Sequence, residues 1–294
     1  MFVTRLVSGI VLIIIAILAL SLGGWVLAAV LLTISLIAFR ELTKVLKIAG
    51  QDQRAGVRTE SDKSGAAAAE NGKSLNLLEI IGMIGIMIYY SICYFSGGEV
   101  LQLMCIVGAF MALMFAYVVT FPKYRIEQVS GTFFAFVYAP VMLSLVYLTR
   151  MCPQGIYSVW MILISSWGCD TCAYVVGKLI GKKKIFPVLS PKKSLEGCIG
   201  GVVGAALIGG LYGHFFVEAA FPNQTVKWII AFICAVGAVM SQVGDLAASA
   251  IKRNHDVKDY GKLIPGHGGI MDRFDSMIVT APMIYFLTIL MIRF

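Results

Sequence analysis

The stretch Leu6-Val-Ser-Gly-Ile-Val-Leu-Ile-Ile-Ile-Ala-Ile-Leu-Ala-Leu-Ser-Leu22, followed after Gly23 by Gly24-Trp-Val-Leu-Ala-Ala-Val-Leu-Leu-Thr-Ile-Ser-Leu-Ile-Ala-Phe39, carries no charged residue from end to end. A helix rises 1.5 Å per residue, so about 20 such residues cross the roughly 30 Å of bilayer hydrocarbon. Two apolar halves meeting at Gly23 and Gly24 therefore read as a transmembrane hairpin. Seven further apolar segments of similar length follow, at residues 77–95, 100–121, 129–148, 157–176, 198–221, 228–251 and 274–292. The expected fold is all-α, a polytopic integral membrane protein with about nine transmembrane helices. Composition over the 294 residues agrees, at 59% hydrophobic and 14% charged, against roughly 45–50% and 25% in soluble domains. Mean hydropathy is +0.86. Charges this sparse cannot cover a water-soluble domain of this size, which excludes that class.

Basic residues orient the spans, because cytoplasmic loops keep Lys and Arg. With the N-terminus inside, 21 of the 24 basic residues fall on the cytoplasmic side, and only Arg150, Lys227 and Arg293 lie outside. The expected topology is N-in, C-out, in the plasma (inner) membrane, with the polar chemistry facing the cytoplasm. The net charge of +8 belongs to loops flanking lipid, so it points to membrane and phosphate and not to nucleic acid.

Four regions follow: an N-terminal hairpin at 1–49, a cytoplasmic linker at 50–76, middle helices at 77–150, and a catalytic transmembrane region at 151–294. The linker is rich in Gly, Ala, Ser and mixed charge and cannot bury a core. The first span lacks a small-x-small cleavage site and is read as retained. Seven cysteines, most of them inside spans, do not make a disulfide framework. Cys169 and Cys172 read as small packing residues on one helix face.

Carboxylates inside a bilayer are costly and mark function. Asp170 in the sixth span and Asp245 in the eighth each lie about seven or eight residues from a cytoplasmic basic cluster, a depth of roughly 10–12 Å. Asp272 and Asp275 open the ninth span, three residues apart and so on one helix side. Glu99 and Glu218 fall near the outer boundary and read as solvated. Any one of these aspartates alone would read equally well as the partner of a buried base. Four of them directed at one face among Lys and Arg is the composition of a site for Mg²⁺ and phosphates, since hard cations take carboxylate and phosphate oxygens.

The segment after the eighth span runs Ser249-Ala-Ile-Lys252-Arg253-Asn-His-Asp-Val-Lys258-Asp259-Tyr-Gly261-Lys-Leu-Ile264-Pro265-Gly266-His267-Gly268-Gly269-Ile270-Met-Asp272-Arg273-Phe274-Asp275. It resembles the signature of the phosphatidate cytidylyltransferase (CDP-diacylglycerol synthase) family at every fixed position. A second block, Asp170-x-x-Ala173-Tyr174-x-x-Gly177-x3-Gly181-Lys182 with Ser190-Pro191-Lys192-Lys193-Ser194-x-Glu196-Gly197-x-x-Gly200-Gly201, resembles the family too. Ser194 stands where that family more often has Thr, and the linker is longer than the family pattern. The likeness is weakest in the first 130 residues.

The resemblance implies an enzyme, a nucleotidyltransferase that joins CTP to phosphatidic acid, giving CDP-diacylglycerol and pyrophosphate with Mg²⁺, as one ion or two. It implies Asp245 and Asp272 as metal ligands, with Asp170 and Asp275 for a second ion or a basic neighbour. Lys252, Arg253, His267 and Arg273 would act on the reacting phosphates. Lys192, Lys193, Ser194, Ser249, Lys258, Gly268 and Gly269 would bind substrate. For Lys182 to Lys184, membrane anchoring is the favoured reading. The glycines at 266, 268 and 269 would let backbone N–H groups approach phosphate, with the positive end of the ninth helix behind them. A glycine-rich seventh span permits close helix packing, and a homodimer contact is a further expectation there. Two other classes use similar parts: a CTP-dependent lipid kinase, and a transporter of anionic lipid or metal.

Overall fold

The computed structural model describes residues 2–48, 75–96, 98–221, 225–264 and 268–291, with side chains from residue 8 onward. Residues 50–74 of the linker, and Pro265, Gly266 and His267, lie outside the described residues. Each expected span coincides with a helix. The first, α1 (Phe2–Leu22), has a described apolar part, Ser8–Leu22, that is shorter than a full crossing. Eight others are long and apolar enough to cross a membrane: α2 (Gly24–Val45), α3 (Leu77–Phe95), α4 (Glu99–Val119), α5 (Ile126–Met151), α6 (Gly155–Leu179), α7 (Leu195–Ala220), α8 (Lys227–Asn254) and α9 (Met271–Met291). Ends differ from the apolar segments by a few residues, since hydropathy marks the end of lipid contact and not of hydrogen bonding. The difference matters at α2, which runs on to Val45 and so includes Glu41.

Three spans are interrupted by a π turn, α5, α6 and α7, the last at Gly213–Val217. In α5 the backbone widens to a π turn at Val137–Val141 around Pro140, which has no N–H to donate. The Pro140 carbonyl also accepts from the Tyr90 hydroxyl at 3.3 Å. In α6 a π turn at Ile164–Gly168 lies one residue before Cys169 and two before Asp170. There Ser166 Oγ donates to Ile162 O at 2.7 Å and Ser165 Oγ to Cys234 O at 3.3 Å, satisfying helix polar groups within hydrocarbon.

α6, α7, α8 and α9 pack as one bundle, with α7 packed against both α6 and α8. The glycines of α7 make this possible. A Cβ on Gly201 would fall 2.9 Å from Cys169 Sγ, and one on Gly204 2.6 Å from Cys172 Cβ. Gly209 stands likewise against Cys234 of α8. The two cysteines of α6 are packing residues, as read, and all seven cysteines are free thiols. The α7 glycines expected to serve a dimer contact are thus engaged within the chain. Arg150 Nε donates to Leu20 O at 3.0 Å, pinning the turn between α1 and α2.

Candidate active site

The loop from α6 to α7 is built to present lysines. A turn over Pro191 is closed by Lys193 N–H to Ser190 O at 3.2 Å, the position proline's fixed φ favours. Ser194 then caps α7, accepting from Gly197 N–H at 3.2 Å, and is buried against Gly177 and Gly181. The carboxylate of Glu196 accepts the Lys182 and Lys183 N–H groups, and Lys184 Nζ donates to Lys192 O at 3.0 Å. What this leaves facing inward is a cavity of about 360 Å³, lined by Lys178, Lys184, Lys192 and Lys193 with Asp170 and Gln242 at its wall. Ser194, expected at substrate, is also part of this cavity's lining, while its Oγ accepts the cap bond.

A second cavity of about 300 Å³ lies on the other side of Asp170, lined by Asp272, Arg273, Asp275 and Ser276 from α9 and by Gly9, Leu12 and Ile13 from α1. Asp170 therefore stands between a cationic chamber and one that opens along an apolar helix. Ser276 Oγ lies 3.5 Å from its Oδ2. Asp170, Asp245 and Asp275 are near enough to act on one another electrostatically, with Lys193, Lys252 and Arg273 among them. The buried Arg273 Nε has no hydrogen-bond partner. A guanidinium N–H left in this condition costs free energy until an acceptor reaches it.

Asp245 and Asp272 each face a cation. Lys193 Nζ sits 2.5 Å from Asp245 Oδ2 as an ion contact outside hydrogen-bonding geometry. Lys252 Nζ donates to Asp272 Oδ1 at 2.8 Å and lies 5.2 Å from the Tyr260 ring centre. The other oxygen of Asp272 accepts from Tyr260 N–H at 2.8 Å and Gly269 N–H at 3.0 Å. Burial pushes the Tyr260 phenol well up, so it remains a donor, to Ala248 O at 2.9 Å.

Among the described residues no three His, Cys, Asp or Glu side chains converge as a metal cage, and Asp272 turns back to the loop that solvates it. One expectation needs correcting: the α9 N-terminus is not open to phosphate. Gly269 N–H goes to Asp272, while Ile270 and Met271 N–H go to Glu41 at 3.2 and 2.8 Å. The protein's own carboxylates already fill the anion site that the helix end provides.

Of the remaining candidates, Arg253, Lys258 and Lys192 are exposed, and Ser249 is half-buried on α8. Gly268 takes φ +87°, a conformation suited to glycine, and a Cβ there would fall 2.9 Å from Asp272 Oδ2. Glu41 was not among the expected site residues. Its apolar stretch ends at Phe39, and its partners lie 229 and 230 positions away.

Against known proteins, the profile of the cytidylyltransferase family matches residues 3–291. The phosphatidate cytidylyltransferase of Bacillus subtilis is 31% identical over 222 residues, 73% of this chain and 81% of that protein. That of Staphylococcus saprophyticus is 34% identical over 219 residues, covering 74% and 81%. That of Staphylococcus aureus is 33% identical over 191 residues, covering 65% and 71%. With its full span matched and the family's two motif blocks meeting at one layer of α6, α8 and α9, this chain belongs to the cytidylyltransferase family.

Proposed function

We propose that the chain is a phosphatidate cytidylyltransferase, converting CTP and phosphatidic acid to CDP-diacylglycerol and pyrophosphate in a membrane. The observation that carries this reading is the pair of cavities meeting at Asp170. One has four lysines for a triphosphate, and the other has Arg273 for a single phosphate beside apolar helix. A third cavity of about 400 Å³, almost wholly apolar, runs between α1 and α2 and against α6 and α9, and shares Leu12 with the Arg273 chamber. It suits the acyl chains of a lipid whose headgroup reaches Arg273. CTP would arrive from the cytoplasm, where the positive-inside rule puts the lysine loop, and the membrane would be the plasma membrane.

In the reaction a phosphatidate oxygen forms a bond to the α-phosphorus of CTP as the bond from that phosphorus to the bridging oxygen breaks, and pyrophosphate leaves. A phosphate monoester is largely ionised at pH 7, its second pKa being about 6, so no general base has to prepare the nucleophile. The task is to bring two anions together and receive the charge that moves onto pyrophosphate. In this reading Lys192 and Lys193 receive the charge of the leaving group and Arg273 binds the lipid phosphate. Asp245 and Asp272 would hold Mg²⁺, with Asp170 and Asp275 beside them for a second ion. The donor chemistry fits, because Mg²⁺ takes hard oxygens, needs few from protein and completes its shell with phosphate and water. Each of the two faces a cation in this structure. When bound, the metal would neutralise charge on the phosphates.

Labelled nucleotide tests the reading. With purified protein in mixed micelles, label in the α-phosphate of CTP should enter the lipid and γ-label should leave in pyrophosphate. Lipid labelled from the γ-position would make the protein a kinase.

A further inference from the structure

Glu41 is a buried carboxylate on α2, 7% exposed, that the reaction does not call on. Its two oxygens accept the Ile270 and Met271 N–H groups at 3.2 and 2.8 Å. Two loop glycines are moulded to it: a methyl group on either Gly261 or Gly269 would collide with the Glu41 carboxylate. Three successive N–H groups, at 269, 270 and 271, are thus divided between Asp272 and Glu41. The two carboxylates repel one another. What offsets this is the positive end of α9 and its unpaired donors, which favour anions there.

We propose that Glu41 is a positioning residue for Asp272. By holding the Ile270 and Met271 N–H groups, where the loop enters α9, it fixes the turn from which Asp272 meets Lys252 and, in the working enzyme, would meet metal. It also makes the N-terminal hairpin a structural part of the C-terminal site. The proposal rests on the reading of the aspartate layer as the metal-holding site. Residues that orient a ligand carboxylate from behind typically affect metal affinity or activity by about 10–100-fold.

The test compares Glu41→Gln and Glu41→Asp with Asp245→Asn in the purified full chain. Gln keeps the shape but turns an amide donor against a backbone N–H. It should weaken Mn²⁺ binding, read by electron paramagnetic resonance, by about 10-fold and lower kcat by about 10-fold. The KM for CTP should stay within about 2-fold, because the lysine chamber is untouched. Asp keeps the charge and should recover part of each loss. Wild-type Mn²⁺ affinity and kcat in Glu41→Gln, with both lost in Asp245→Asn, would overturn the positioning role and leave the site reading standing. Equal damage to kcat and to the KM for CTP would also overturn it, by showing general loosening. If Asp245→Asn itself behaves as wild type in both measurements, the site reading fails and the positioning role falls with it. Should Glu41→Gln fail to fold by thermal unfolding in detergent, Glu41→Asp decides: folded, with wild-type affinity and rate, it overturns the proposal.

Discussion

Lys193, in the loop entering α7, places its ammonium 2.5 Å from the Asp245 carboxylate of α8, joining the lysine-walled chamber to the aspartate layer. The side chains are 20% and 28% exposed but Lys193 Nζ itself is buried, so desolvation offsets much of the attraction and the pair's net contribution to stability is small. Its value is placement, since it sets a cation at the boundary where a triphosphate and a metal would meet.

Replacing Lys193 should therefore harm function more than folding. Lys193→Met removes a charge-assisted contact to phosphate, of about 1.5–3 kcal/mol, which is roughly 10–100-fold in kcat/KM for CTP. Thermal unfolding in detergent should move little. Steady-state kinetics with unchanged kcat/KM would remove Lys193 from the nucleotide chamber.

The contact of α7 with α6 makes a stability prediction. Gly204→Ala puts a methyl group 2.6 Å from Cys172 Cβ, an overpacking that costs about 1–3 kcal/mol. The midpoint of thermal unfolding should fall, and Cys172→Gly in the same chain should restore most of it. A single mutant as stable as wild type would mean that the two helices part easily here.

Topology rests on the 21 to 3 division of basic residues. Cys152 lies between α5 and α6 at the end predicted to face outward. With the other six cysteines replaced, it should react with a membrane-impermeant maleimide in intact cells, and a cysteine placed at Ser190 should not. Burial holds the Cys152 thiol above its ordinary pKa. The thiolate is the reactive form, so labelling should accelerate as pH rises through and beyond neutrality. The opposite labelling pattern would invert the topology.

The linker is bounded by a fixed point at its start. The Ile48 carbonyl accepts from Gln128 Nε2 at 2.7 Å and Asn76 Nδ2 at 3.2 Å, so the chain is anchored on both sides of it. Loop closure changes by only about 0.6 kcal/mol per halving of length. Removing residues 51–72 while keeping a short flexible join should leave CDP-diacylglycerol synthesis largely intact in a membrane assay. A folded deletion protein without activity would assign this segment a role.

The helices were legible because lipid demands long apolar runs, and the layer of Asp170 and Asp245 because depth follows from 1.5 Å per residue. Packing by Cys169 and Cys172 was legible from their three-residue spacing. The partners of these aspartates were not. That Asp245 takes Lys193 and Asp272 takes Lys252 depends on loop geometry that spacing does not encode. The α9 N-terminus was read as open because its donors are local, whereas the acceptor that fills them, Glu41, comes from α2. The one available signal was a glutamate less than one turn past an apolar stretch, where helix continues after hydropathy stops. The π turn before Asp170 left no mark in the sequence that hydropathy detects.

The most direct test of the account is CDP-diacylglycerol formation across a Mg²⁺ titration in purified Asp245→Asn, with Asp256→Asn as control. Asp245 is the better probe of the two motif aspartates. Asp272 accepts three hydrogen bonds from its surroundings, and removing one partner of such a buried pair costs stability of about 3–5 kcal/mol. Asp256 is exposed and holds φ 55°, which asparagine also tolerates. Asp245→Asn should lose turnover by about 100-fold or more while unfolding near the wild-type temperature, and Asp256→Asn should work normally. Wild-type turnover and Mg²⁺ dependence in Asp245→Asn would contradict the assignment of this layer as the catalytic centre.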